Sequence, residues 1–267
     1  MNTPFFSIIT VVFNDKSGFL LTLESIKSLN SSDYEWIVID GNSSDGTQEL
    51  VRAESNLMAS WVSEPDIGIY DAMNKGMLRS SGKYIVFMNA GDIFPTPETL
   101  DTIKNHLSSL ETEPDLLFGS ATFALLNGRT RHRSSKPMYK YIWHGLPANH
   151  QATYFRRESL GDIQYDLQYR ICGDYFLVAT LFTRGAKAAY IDTPLVNFRI
   201  GDTSYRNPKK LLLEPYLIQR DTLHSPLHLR LISLCRRLIA TLGIVILSSP
   251  LLATSQKPLD SESQPEH

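Results

Sequence analysis

Three groups of acidic and small polar residues lie in the first third of the chain, each just after a short apolar run. The first is Asp40-Gly41-Asn42-Ser43-Ser44-Asp45-Gly46-Thr47. It joins a flexible turn, carboxylates, hydroxyls and a helix start, a set able to hold a ribose or a base edge by hydrogen bonds. Asx turns and N-caps use the same residue types, so that reading stands beside it. The second is Glu64-Pro65-Asp66-Ile67-Gly68-Ile69-Tyr70-Asp71-Ala72-Met73-Asn74-Lys75-Gly76, denser in polar groups than a plain helix start requires. Gly68 could bring backbone close to a ligand, and Lys75 could meet a phosphate if it turned inward, although a lone helical lysine is usually just solvated. The third is Asn89-Ala90-Gly91-Asp92. A carboxylate in such a loosened turn suits Mg2+ or Mn2+ shared with a diphosphate, because these ions often take one or two protein carboxylates and complete their shell with phosphate and water. The plain alternative is an Asp turn that ends a strand.

The elements that must carry these groups follow from the apolar pattern. Residues 5–13 form a β-branched run without helical period, which predicts a buried strand. Phe19, Leu20, Leu23, Ile26 and Leu29 are spaced for one helix face. A second buried strand covers 35–39, and a helix follows with Asp45 or Thr47 as its N-cap. Then come a short strand at 61–63, a helix over 69–78 and a strand over 83–88. Alternation of this kind predicts right-handed βαβ units on a mostly parallel sheet, an α/β fold that binds ligands at the carboxyl edge of its strands. Beyond Pro114 the pattern loosens, with strands at 116–118 and 121–126 around Gly119, a basic loop or irregular hairpin over 129–140, and a strand at 152–155. A helix over 174–182 and a strand over 188–191 follow, and no internal repeat is visible.

Composition narrows the function classes. The 267 residues carry 26 Lys and Arg against 28 Asp and Glu, so no global basic field speaks for a nucleic-acid partner. With 42% hydrophobic residues the chain can bury a sizeable core, and disorder is excluded as a general state. Only Cys172 and Cys235 are present, at a spacing that suits neither a disulfide framework nor a zinc site, and a reducing compartment is expected. Met1-Asn2-Thr3-Pro4 lacks the basic start of a signal peptide.

Taken in order, the pieces resemble the inverting nucleotide-sugar glycosyltransferases of family 2, with a GT-A fold: a mostly parallel, Rossmann-like sheet flanked by helices. The resemblance covers roughly residues 5–205. It rests on Ser7-Ile8-Ile9-Thr10-Val11-Val12-Phe13-Asn14, on the three groups above, on Asn149-His150-Gln151 before a strand, and on Gly173-Asp174-Tyr175 opening a helix. Within the family the chain looks most like enzymes of bacterial exopolysaccharide, colanic acid and O-antigen assembly.

The resemblance implies donor contacts at Thr10, Phe13, Asn14, Asp40, Asp66, Gly68, Asn74, Lys75, Asn89 and Ala90. It further implies a metal ligand at Asp92, acceptor-side roles for His150 and Gln151, and a general base at Asp174. Asp174 would stay ionised in a partly open cleft, whereas deep burial would raise its pKa. The chain departs from the family pattern in three places: Gly41 stands where a second Asp is common, Asn89 and Gly91 replace two acids of the metal motif, and Gly173 replaces a Glu. The implied partners are a nucleotide-sugar donor, a polyprenyl-diphosphate-linked glycan and the inner face of the cytoplasmic membrane. A nucleotidyltransferase and a non-catalytic sugar- or partner-binding module remain as alternatives.

The domain reading is a glycosyltransferase body over 1–205, a helical extension over 206–257 and a disordered tail over 258–267. The uncharged run 238–256 is close to the ~20 residues that span a bilayer, yet Gly243, Ser248, Ser249 and Pro250 interrupt it. A helix on the membrane surface, arginines to lipid phosphate and Leu/Ile face down, is the expectation, with packing on the core as the alternative. Arg129, Arg131, His132, Arg133, Lys136 and Lys140 could dock on the same anionic surface or form a solvated loop.

Overall fold

The computed structural model describes residues 3–124, 130–199 and 207–247. The expected strands at 121–126, the basic segment at Arg129, the extension beyond 247 and the tail fall partly or wholly outside these residues.

Along the chain run β1 (Phe6–Val12), α1 (Lys16–Lys27), β2 (Tyr34–Asp40), α2 (Thr47–Ala53), β3 (Ser60–Ser63), α3 (Ile69–Arg79) and β4 (Tyr84–Phe87). There follow α4 (Thr99–Ser108), β5 (Leu116–Ala124), β6 (Thr130–Arg133), α5 (Met138–Tyr141), β7 (Thr153–Arg156), α6 (Arg157–Leu160), α7 (Gly173–Thr183), β8 (Ala188–Arg199), α8 (Pro208–Asp221) and α9 (Leu227–Leu247). They build one sheet in the order β3-β2-β1-β4-β7-β5-β6, with β8 also paired to β5. β3, β2, β1 and β4 are parallel neighbours, as the alternating pattern requires. β7 joins β4 and β5 antiparallel, and β8 joins β5 parallel. This is the GT-A architecture.

β1 is buried on both faces, so its near-continuous apolar run has two destinations. Ile9 and Val11 enter a layer with α3, α7 and α8, while Ile8 and Val12 enter a layer on the opposite side with α1, α2 and α4. The period of two in a strand divides them.

Two departures from the sequence pattern have local causes. The strands expected around Gly119 are one strand, β5, whose register with β8 shifts between Phe118 and Ala121. A Cβ on Gly119 would lie 2.2 Å from Leu195 Cδ1, so only glycine lets the strands cross there. β8 runs on to Arg199, well past Ile191, because Pro194 sits at that same irregularity, where its missing N–H interrupts no regular ladder. Helix α4 lies beyond what the apolar pattern announced. Ile218 of α8 is fully buried in the core shared with α7, which joins the C-terminal extension to the body.

Candidate active site

The three polar groups all fall at the carboxyl ends of parallel strands, after β2, β3 and β4. Asp40, the last residue of β2, is fully buried. Its carboxylate accepts the N–H of Ser43 at 3.1 Å and the hydroxyl of Ser63, from the end of β3, at 2.5 Å. Asp40 therefore builds the turn itself. Asn14, with a φ of 48°, stitches the end of β1 to this turn: its N–H donates to Ser43 Oγ and its Oδ1 accepts from Ser44 N–H, both at 2.8 Å. Asp45 accepts the N–H and hydroxyl of Thr47 at 3.1 and 2.6 Å, so its side chain caps α2 with Gly46 in the N-cap position. Thr10 is fully buried and accepts the Trp36 indole N–H at 3.0 Å, a core bond where a donor contact was expected.

Phe13 is different. Its side chain is 65% exposed beside this turn. A Cβ on Gly41 would come within 2.9 Å of Asp66 Oδ2 and 3.1 Å of Phe13 Cδ2. A side chain at 41 would therefore crowd the Asp66 carboxylate and the Phe13 ring. Burial pushes Asp66 above the usual carboxylate range, opposed by the Lys75 ammonium 2.6 Å away. Lys75 also pairs with Glu64 at 3.0 Å and Asp71 at 3.6 Å. Its ammonium is thus shared among three carboxylates of this cluster. Gly68 has a φ of 132°, open to glycine alone, and lies against the Arg170 side chain, which donates to Ile67 O.

After β4, Asp92 is 3% exposed and its Oδ2 accepts the Asn89 N–H at 3.0 Å. Ala90 N–H continues the sheet to Val11 O at 3.2 Å. Thr22 of α1, a residue the motifs do not single out, organises the turn: its hydroxyl reaches Asp92 O at 2.8 Å and accepts Gly91 N–H at 3.0 Å. A hydroxyl on the buried face of an apolar helix was the signal available for it. Asn89 Oδ1 is buried without a hydrogen-bond partner. Among the described residues no group of three or more His, Cys, Asp or Glu could hold a metal ion. Asn89 Oδ1 and the Asp92 carboxylate fit a cation whose other ligands are phosphate and water; they do not form a closed protein site.

Asp174 lies in the first turn of α7, partly buried. Desolvation raises its pKa to about 6, against the lowering influences of the Tyr175 N–H at 2.8 Å and the Arg133 charge. The open cleft expected to keep this pKa low is thus replaced by a closer one. Arg133 of the basic segment belongs to this neighbourhood, donating to Asn149 Oδ1 and Leu146 O at 3.2 and 3.1 Å, and does not stand free for lipid. The Tyr70 hydroxyl donates to Ile171 O at 2.7 Å and lies 3.5 Å from Asp174 Oδ1. A Cβ on Gly173 would sit 2.8 Å from the Tyr70 ring, so a side chain here would force that ring to shift.

Tyr70 stacks on Tyr165 at 5.1 Å, and the Tyr165 hydroxyl pairs with His150 Nε2 at 2.6 Å. His150 is buried, stacked on Phe87, and its pKa falls to about 3 through desolvation, so its imidazole is neutral. Its ring thus packs into the core and bonds Tyr165. Gln151, equally buried, accepts from Asn149 Nδ2 at 3.3 Å. Asn74 uses both amide atoms on the Tyr165 backbone, at 2.9 and 2.8 Å, and so clamps that segment where a donor contact was expected.

Glu214 of α8, invisible to motif reading, accepts the N–H groups of Arg170, Ile171 and Cys172, each at 2.9 Å. In α9, Arg237 donates to His144 O and Arg230 lies over the Tyr216 ring at 5.2 Å. The Arg236 guanidinium is 6.0 Å from the Trp143 ring. Arg230 and Arg237 thus meet the protein, where arginines toward lipid phosphate were expected, while Arg236 is exposed beside Trp143. The outer side of α9 bears Leu227, Leu231, Ile232 and Ile239, all exposed. No helix among the described residues is long and apolar enough to cross a membrane.

This arrangement of strand-end turns on a GT-A sheet defines a class, and comparison with known proteins makes the class specific. Residues 7–173 match the model of Glycosyl transferase family 2, and the chain belongs to that family. It is 32% identical over 176 residues to an uncharacterized glycosyltransferase of Mycobacterium tuberculosis, covering 65% of this chain and 67% of that one. A PGL/p-HBAD biosynthesis glycosyltransferase of Mycobacterium bovis is 30% identical over 186 residues, covering 66% and 68%. Among solved structures, S. aureus TarS 1-349 in complex with UDP-GlcNAc superposes with a TM-score of 0.61 at 16% identity, over 79% of this chain and 66% of that one. The mannosyltransferase PcManGT from Pyrobaculum calidifontis, in complex with GDP-Man and Mn2+, gives 0.60 at 16% identity, over 97% and 82%. At such identities the superpositions speak for the fold.

Proposed function

We propose that the chain transfers a hexosyl or deoxyhexosyl group from a nucleotide sugar, with inversion, to a lipid-linked glycan in bacterial surface polysaccharide assembly. The acceptor is a polyprenyl-diphosphate-linked glycan of the exopolysaccharide, colanic acid or O-antigen kind, met at the inner face of the cytoplasmic membrane. Family membership supports the reaction class. The observation that carries the catalytic reading is Asp174, a desolvated carboxylate with a pKa of about 6 at a helix N-terminus. A base of that pKa is mostly ionised at neutral pH yet basic enough to accept a proton.

In this reading Asp174 takes the proton of an acceptor hydroxyl as that oxygen bonds to the anomeric carbon. The bond from that carbon to the diphosphate oxygen breaks on the opposite face, and the nucleoside diphosphate leaves. Phe13 offers an exposed aromatic face for the base, of the kind whose stacking contributes about 1–3 kcal/mol. Asp66, beside it, offers a hydrogen-bonding edge. Asn89 and Asp92 would hold Mg2+ or Mn2+, which supplies charge neutralisation for the departing diphosphate when bound. The exposed apolar side of α9 supports a peripheral contact with lipid.

Calorimetric titration with UDP, GDP and dTDP, with and without Mn2+, on wild type and Asp92→Ala tests the donor site. Metal-dependent binding of one nucleotide, lost in the variant, is expected. A folded protein that binds none of the three would overturn the reading.

A further inference from the structure

The entry to α7 has no cap of its own: Cys172 occupies the N-cap position and contributes no side-chain bond. The free N–H groups at such a helix start need acceptors. Glu214, from another helix, accepts the N–H of the N-cap residue Cys172 together with those of the two residues before it. It is 5% exposed, and its two oxygens gather three successive backbone N–H groups, Arg170 on Oε1, Ile171 and Cys172 on Oε2. Three charge-assisted bonds to consecutive amides fix a backbone segment far more firmly than one cap does. From the other side the Tyr70 hydroxyl holds Ile171 O at 2.7 Å, and the Tyr70 ring lies against Gly173. Residues 170–173 are thus clamped between α3 and α8, and Asp174 is the next residue.

We propose that Glu214 is a positioning residue for Asp174: through the amides of residues 170–172 it sets the height and direction of the α7 N-terminus, and with it the place and desolvation of the Asp174 carboxylate. The proposal rests on the reading of Asp174 as the base. It gives α8, which lies beyond the family match ending at 173, a part in catalysis without contact to substrate. A displacement of about 1 Å at a reacting group costs on the order of a hundredfold in rate, so the clamp need not fail completely to matter.

Glu214→Gln keeps the shape but turns one oxygen into an amide donor facing a backbone N–H. Three readouts test it. In a double-mutant cycle by urea unfolding at pH 7.5, the stability gain from Asp174→Asn falls to less than half in the Glu214→Gln background, because a loosened loop lets water reach Asp174. In a Cys235→Ser background, iodoacetamide labels the buried Cys172 about tenfold faster or more under native conditions. Turnover is followed as nucleoside diphosphate release from whichever of UDP-glucose, GDP-mannose and dTDP-rhamnose the wild type uses: kcat falls about tenfold or more while donor KM stays within about twofold. Glu214→Asp, which withdraws the carboxylate by one methylene, repeats the pattern at smaller amplitude and stands in if the Gln variant does not fold. Additive stabilities with unchanged labelling overturn the proposal, as does a loss of kcat matched by an equal loss of donor binding. Full turnover by Asp174→Asn alone would instead remove the base assignment, leaving the cycle and the labelling to judge the clamp.

Discussion

Asp174→Asn should make the protein more stable as it makes it inactive. The native carboxyl titrates near 6 against 3.8 for the free group, a difference of about 2 units and roughly 3 kcal/mol of differential interaction. Between these two values the folded state binds more protons than the unfolded one, so the ionised carboxylate weakens the fold increasingly as pH rises through that window. The penalty is complete above pH 6 and shrinks to about 1 kcal/mol at pH 4.5. Asparagine removes the charge, keeps an acceptor for the Tyr175 N–H and retains a smaller desolvation cost of its own, so about 1–3 kcal/mol should be recovered at pH 7.5. For a domain of this size that corresponds to about 2–8 °C in Tm. Urea unfolding of both proteins at pH 7.5 and 4.5 measures it. The wild-type turnover should fall tenfold per pH unit below about 6, a limb that His150, already neutral with its pKa near 3, cannot produce. Equal stability at pH 7.5, or a difference that persists undiminished at 4.5, refutes the reasoning.

Two further outcomes are expected. Asn74→Ala leaves the buried Tyr165 N–H and carbonyl without their partner and should cost about 2–4 kcal/mol in chemical denaturation, while nucleotide affinity changes less than about twofold; a tenfold loss of affinity in a stable variant would return Asn74 to the donor site. Replacing Ile232 and Ile239 by Glu removes two side chains worth about 1.5–3 kcal/mol each on burial, so the fraction sedimenting with anionic lipid vesicles should drop more than tenfold; an unchanged fraction would remove α9 from the membrane contact.

Two of the departures from the family pattern sit in crowded surroundings. At positions 41 and 173 a side chain would crowd a neighbour, the Asp66 carboxylate with Phe13 in one case and the Tyr70 ring in the other. Asp66 comes from the stretch between β3 and α3, Tyr70 from the first turn of α3, and Phe13 from the end of β1.

The sequence by itself determined the alternation of β1 to β4 with their helices, because strand and helix periods are local and their apolar faces repeat over a few residues. It also determined that the polar groups after β2, β3 and β4 share one sheet edge, since parallel strands end on the same side. It could not assign the side chains within those groups. Asp40, Asn14 and Asn74 carry the residue types of a ligand site, but their hydrogen bonds close on Ser43, Ser63, Ser44 and Tyr165. Whether a polar side chain faces a cleft or completes a turn depends on neighbours tens of residues away. The same holds for Glu214, 40 positions beyond the carboxylate it serves, and for Arg230 and Arg237 of α9, which meet the Tyr216 ring and His144 O. Tertiary packing decided these, because desolvation and hydrogen-bond satisfaction are properties of the assembled interior.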